Sequence, residues 1–362
     1  MNIKNTFSNL IVLSIGLIFG LSIGEIAIRY ILPQKLVKSC YKFDPEVTLV
    51  GTPSCRFIDD WEEEIPPYEV CFNNLGYRMD KDVLPNDKNL VACIGDSFTY
   101  GWGVEMKNAF LGLFNAELQN QSADVKLINT GFPSYSTGHC SKILERLDDE
   151  IPVQKAIYFM FFNDIFDNVR SDKNYVAYSY NFSKTGAVQL EDAVKKWGKK
   201  RSPFYKKILR WLYKHSHLAI FVRKSMPDFK DGESHTGPRP EDGLNDAQID
   251  TMTMVTLAHI DHLNQVCKER DIELQIVWIP CWQELNLGND YDWTNHFPFK
   301  NIKEKMAAKY LFFDPTSKIN ELLGENGKNI SDYYFSDGHY NNKGNQLFYQ
   351  SIKKEVFNFV VQ

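Results

Sequence analysis

Two short stretches carry residue types suited to acyl transfer. Gly95-Asp-Ser97-Phe-Thr-Tyr-Gly101 follows the apolar run Leu90–Gly95, and Asp337-Gly-His339-Tyr-Asn341 lies late in the 362-residue chain. A serine hydroxyl is a weak nucleophile and needs a base to take its proton during attack. An imidazole ordinarily titrates near neutrality and can hold that proton until the leaving group departs, so His339 is the candidate base for Ser97. Asp337 is placed to orient the imidazole and stabilise its cation, with Asp332 as the fallback. If Asp337 instead caps a turn through Gly338, the chemistry rests on a Ser-His dyad. Each stretch also has a purely structural reading. The first suits any strand-to-helix turn with Asp96 and Thr99 as capping groups, and the second suits a helix start capped by Asn341 or Asn342.

The elements that must position these residues show from Leu90 onward. Leu90–Gly95, Val125–Thr130, Val153–Phe162, Glu273–Pro280 and Leu311–Phe313 are apolar runs rich in β-branched or aromatic residues, as expected of strands covered on both faces. Helical patterns fall between and after them: Met106–Asn120, Thr137–Glu150, Asn245–Arg270, Asn301–Lys309 and Asn342–Val361. Alternating strands and helices imply right-handed crossovers, hence an α/β fold with a doubly wound, mostly parallel, five-stranded sheet flanked by helices. Ligands of such sheets bind beyond the carboxyl ends of the strands.

The two motifs make the chain resemble the SGNH hydrolases, the GDSL esterase and lipase family, whose four blocks supply Ser, Gly, Asn and His. The match runs from Leu90 to the last residues, apart from an insertion. The resemblance implies a flavodoxin-like arrangement, no cofactor, no metal and an acyl-enzyme mechanism through Ser97, His339 and Asp337. It also implies an oxyanion hole from the backbone N–H of Ser97, the backbone N–H of Gly131 in Asn129-Thr-Gly131-Phe, and the side-chain amide of Asn163. All three lie just after predicted strands. Two departures from the pattern are visible: Phe161 stands where the family's third block has glycine, and the Asp-to-His interval is two rather than three. Asp164 and Asp167 read as structural or substrate-facing. The implied function is a serine esterase removing an acyl group, acetyl foremost, from a glycan or small ester. An O-acetyltransferase acting on a cell-surface polysaccharide uses the same groups. A membrane-tethered glycan-binding or assembly protein with a silent site is the reading outside enzymology.

Three regions frame this domain, which spans 89–362. Residues 1–33 include an uncharged stretch, Leu10–Gly24, continued by Glu25 to Leu32, and read as a transmembrane anchor; a cleaved signal peptide is the rival, with Ser22 and Gly24 as small residues near a cleavage site. Residues 34–88 are irregular, proline-bearing and acidic, and read as a stalk and cap on the domain surface. Residues 170–243 read as a helical insertion. Within them, 195–224 hold eleven Lys or Arg and no Asp or Glu, interleaved with aromatics, which suits a solvated helix face, an anionic lipid surface or an acidic polysaccharide. A net charge of −5 and the lack of a recognised binding fold argue against nucleic acid. Arg29, Lys35 and Lys38 would hold the following domain inside the cell, whereas the clustered Cys40, Cys55 and Cys71 suit a disulfide and hence a periplasmic or extracellular domain. Cys93 and Cys267 read as buried thiols. His259, Asp261, His262 and Cys267 share one long helix and read as its packed or solvated face rather than a metal site.

Overall fold

The structure is a computed structural model that describes residues 3–34, 36, 40–44, 46–60, 64–169, 178–182, 188–192, 204–225, 246–282, 284–285, 299–324 and 329–361. The chain divides into two compact units, one of Met1–Ser39 with Lys200–Ser234, the other of Cys40–Lys199 with His235–Gln362.

In chain order the elements begin with α1 (Ile3–Ile31), β1 (Tyr41–Asp44), β2 (Thr48–Gly51), β3 (Arg56–Asp59), β4 (Tyr68–Cys71), β5 (Leu90–Gly95), α2 (Ser97–Tyr100) and α3 (Phe110–Asn120). There follow β6 (Lys126–Asn129), α4 (Thr137–Glu150), β7 (Lys155–Phe161), α5 (Asn163–Val169), β8 (Tyr178–Phe182), β9 (Val188–Asp192), α6 (Phe204–His215) and α7 (His217–Ser225). The last are α8 (Asp246–Glu269), β10 (Glu273–Ile279), α9 (Phe299–Lys309), β11 (Leu311–Phe313), α10 (Thr316–Leu323) and α11 (Asn342–Val361).

The main sheet of the larger unit has five strands in the order β11-β10-β7-β5-β6, every neighbouring pair parallel. This is the doubly wound arrangement expected from the sequence. All six residues of β5 are buried, so an unbroken apolar run forms a strand covered on both faces rather than an alternating one. The crossover direction reverses at β5, which lies between β6 and β7, and in sheets of this kind ligands bind beyond the carboxyl ends of the strands at that place. Ser97, Gly131 and Asn163 follow those ends in the chain. The expected strands and helices agree with the observed ones to within two residues, save that the helix expected from Met106 opens with a separate 3-10 turn, Met106–Asn108.

The stretch expected as a surface stalk and cap is, from Cys40 onward, part of the body. It forms two antiparallel two-stranded pairs, β1 with β2 and β3 with β4. Val47, Tyr68, Val70, Phe72 and Val83 are buried in the same core as β5 and β7. The reason is its aromatic and β-branched content: Tyr41, Phe72 and Phe132 pack as a ring cluster that only the main body can bury. Cys40 and Cys55 form a disulfide, while Cys71 is a buried free thiol, as are Cys93 and Cys267. The insertion is not wholly helical, since β8 and β9 make an antiparallel ribbon apart from the main sheet. Apart from β8, β9 and 204–225, which holds α6 and α7, the expected insertion from 170 to 243 lies outside the described residues.

In the smaller unit α1 holds a 21-residue apolar stretch, Ile11–Ile31, of mean hydropathy 2.3, long enough to cross a bilayer. Its exposed side chains include Leu13, Ile18, Phe19 and Ile26. The joint between α6 and α7 packs on the last turns of α1.

Candidate active site

Ser97 is the first residue of α2, immediately beyond β5. The Asp96 side chain accepts the Phe98 N–H at 2.9 Å and so caps this one-turn helix. Gly101 closes it at φ 83°, a left-handed conformation that glycine adopts without strain. The α2 turn is then clamped from outside. The buried Arg78 guanidinium donates to the carbonyls of Tyr100 at 2.6 Å, Gly101 at 2.5 Å and Val104 at 2.5 Å, and lies 4.3 Å from the centre of the Tyr100 ring. On the other side Gly131 lets the chain after β6 approach closely: a Cβ there would stand 2.6 Å from Thr99 Cβ.

His339 arrives from the loop before α11, whose N-terminus is capped by the Asn341 side chain accepting the Lys343 and Gly344 N–H groups. Its Nε2 stands 2.8 Å from Ser97 Oγ and its Nδ1 2.9 Å from Asp337 Oδ2. The other Asp337 oxygen accepts the His339 backbone N–H at 3.0 Å, so the two-residue interval makes a tight local turn that still presents a carboxylate to the ring. Burial alone would raise the Asp337 carboxyl, but hydrogen bonds and charge from His339 and a bond from Trp102 hold it below the usual carboxylate range. Asp332 lies exposed in the 3-10 turn Ile330–Asp332. Sequence reasoning missed Trp102, whose indole Nε1 donates to Asp337 Oδ2 at 3.1 Å. Its position directly after the glycine that closes α2 was the only available signal.

The expected oxyanion donors are brought near the turn, but two are engaged. The Gly131 N–H donates to Asn129 Oδ1 at 3.1 Å, and Asn163 Nδ2 donates to Asp167 Oδ2 at 3.3 Å. The Asn163 amide also hydrogen-bonds the Asp96 carboxylate. Among the described residues no hydrogen bond takes up the Ser97 N–H. An oxyanion beside Ser97 would thus meet one open donor at once, and would gain the others by displacing Asn129 and Asp167 as their acceptors.

Beneath the turn lie two buried carboxyls, Asp96 and Asp164. Burial pushes Asp96 up to about 6. Burial and then the Asp96 charge push Asp164 well above its ordinary value. Asp164 accepts from the Tyr158 hydroxyl at 2.8 Å and the Phe161 N–H at 3.2 Å, contacts that tie it into the end of β7. Phe161 puts its ring 4.0 Å from Phe98, and Phe98 lies 5.0 Å from the His339 ring. Trp102 lies 5.9 Å from the imidazole. Aromatic rings thus flank the imidazole and shield part of it from water. His259 is buried and Asp261 accepts from the Tyr310 hydroxyl at 2.5 Å, which is the packed-helix reading of that cluster.

No family model matches the chain, and no curated protein matches it. Among solved structures it is similar to the psychrotrophic esterase EstA from Pseudoalteromonas sp., at 13% identity over 76% of this chain and 100% of that one, with a TM-score of 0.37. It is similar to the acetyl xylan esterase AlAXEase at 14% identity, covering 74% and 99% of the two chains with a TM-score of 0.39. It is also similar to AlinE4, an SGNH-hydrolase family esterase, at 12% identity, covering 74% and 95% with a TM-score of 0.34.

Proposed function

We propose that the protein is a serine ester hydrolase of the SGNH type. One observation carries the reading: a serine oxygen 2.8 Å from an imidazole whose other nitrogen meets a carboxylate at 2.9 Å, at the switch point of a parallel sheet. Ser97 Oγ attacks the ester carbonyl while His339 Nε2 takes its proton. The imidazolium is held by Asp337, and the tetrahedral oxyanion forms against the Ser97 N–H, joined by Gly131 N–H and Asn163 Nδ2 as their present acceptors swing away. His339 returns its proton to the departing alcohol, leaving an acyl-enzyme that water hydrolyses by the same steps in reverse order. A short acyl group, acetyl foremost, is favoured by Phe161, whose ring fills space beside Phe98 that a glycine would leave open. Placement of this domain outside the cell is favoured by the Cys40–Cys55 disulfide, which persists in oxidising compartments.

A second reading, a scaffold with a silent site, is favoured by the internal engagement of Gly131 and Asn163. A fluorophosphonate probe separates the two. The esterase reading expects covalent labelling at Ser97 and none in Ser97→Ala; a folded protein that resists labelling and releases no acetate from aryl acetates refutes it.

A further inference from the structure

The acid in the apolar N-terminal helix is not a stray charge. Glu25 accepts the Ser216 hydroxyl at 2.7 Å, the His217 N–H at 3.0 Å and the Leu218 N–H at 2.9 Å, and pairs with Arg29 at 2.9 Å. Its carboxylate therefore caps α7 from a different element, some 190 residues away in sequence. Around this joint Arg29 also donates to the His215 carbonyl at 3.2 Å, and the Gln34 N–H donates to His217 Nδ1 at 2.8 Å. Gly24 permits the approach, since a Cβ there would lie 3.2 Å from Leu218 Cδ2.

The joint fixes a depth. Glu25 precedes the end of the apolar stretch at Ile31 by six residues, about 9 Å along a helix. Helices that lie on bilayers sink about 5–10 Å below the headgroup boundary. The segment ending at that joint, α6, has the matching pattern. At helical spacing the positions of Lys206, Lys207, Arg210 and Lys214 fall within one arc of about 100°. The remaining arc carries Ile208, Leu209 and Trp211, and Trp211 is 59% exposed. An apolar face left uncovered next to a cationic face, at the lip of a membrane-length helix, fits an anionic bilayer.

We infer that α1 is retained in the mature protein and spans a membrane, and that α6, docked on it through Glu25 and α7, lies in the headgroup layer and binds anionic lipid. The attraction is electrostatic and apolar together, each basic residue near the surface contributing about fivefold in binding.

The test uses the full chain reconstituted in vesicles of phosphatidylcholine, with or without phosphatidylglycerol, containing lipids brominated near the headgroup end of the acyl chain. The readout is the quenching lost on Trp211→Phe. That component should be at least about twofold larger with phosphatidylglycerol and fall by more than half in Lys206→Glu/Lys207→Glu/Arg210→Glu. It should fall likewise in Glu25→Leu, which keeps the helix apolar but removes the cap. Equal quenching in both vesicle types, or no change in either variant at unchanged circular dichroism, overturns the inference. So does a shift of Trp211 emission by soluble polygalacturonate together with indifference to phosphatidylglycerol, which would transfer the basic face to a polysaccharide.

Discussion

Replacing Arg78 with methionine isolates what clamps the Ser97 turn. The guanidinium is 1% exposed and makes three bonds to main-chain carbonyls after Ser97. Two of those carbonyls have other donors: Tyr100 O accepts from Asn129 Nδ2 at 3.3 Å, and Gly101 O from the Val104 N–H at 3.3 Å. Val104 O alone would be left without a donor among the described residues, at about 1–3 kcal/mol. Losing charge-assisted bonds to the other two adds about 1.5–3 kcal/mol each, and removing a buried cation gives part of this back. The net expectation is a loss of about 3 kcal/mol, or about 6 °C in melting temperature. Because a displacement of about 1 Å at the reacting centre can cost about a hundredfold, kcat on an aryl acetate should fall between tenfold and a hundredfold, with a smaller change in KM. Arg78→Lys keeps the charge without the planar fork and should fall between. An Arg78→Met protein melting at or above the wild-type temperature with unchanged kcat refutes the reasoning, since desolvation of the guanidinium would then outweigh its bonds.

Asp337→Asn should lower kcat at least about a hundredfold if the carboxylate holds the imidazole; a loss under about tenfold would indicate a Ser97–His339 dyad. Since the Asp337 carboxyl is held below its unfolded value, its contribution to stability is present above about pH 4 and is lost as pH falls through the folded value, so the melting difference between the Asp337→Asn variant and the wild type should shrink on acidification. Trp102→Phe removes one bond to that carboxylate and should lower kcat about tenfold, with the thermal transition little changed. Phe161→Gly should destabilise by about 3–5 kcal/mol and shift preference toward longer acyl chains in an aryl-ester series. Cys40→Ser/Cys55→Ser opens a link across a separation of 15 residues and should cost about 3 kcal/mol, a loss that a reductant reproduces in the wild type.

The parallel sheet was readable because strands buried on both faces leave unbroken apolar runs, and Ser97, Asp337 and His339 could be singled out by residue type in two short motifs, which the fold brings within hydrogen-bond reach. The 40–88 region was not. Its strands are four residues long, too short for an alternating pattern to register, and a buried arginine such as Arg78 looks in sequence like any surface charge. Nor can sequence say which acceptor a glycine N–H finds. The Asn129 side chain lies two residues away in the chain, and only its rotamer turns Gly131 from an open donor into an occupied one.

The burial of 40–88 also bears on modularity. A shortened chain starting at Leu90 would contain every residue of the Ser97, His339 and Asp337 set, and the motif would be formally intact. It would lack Tyr68, Val70 and Phe72, which complete the core, and Arg78, which grips the turn. The larger compact unit begins at Cys40, so truncation at Leu90 would leave the Ser97, His339 and Asp337 set without part of the core that packs around it.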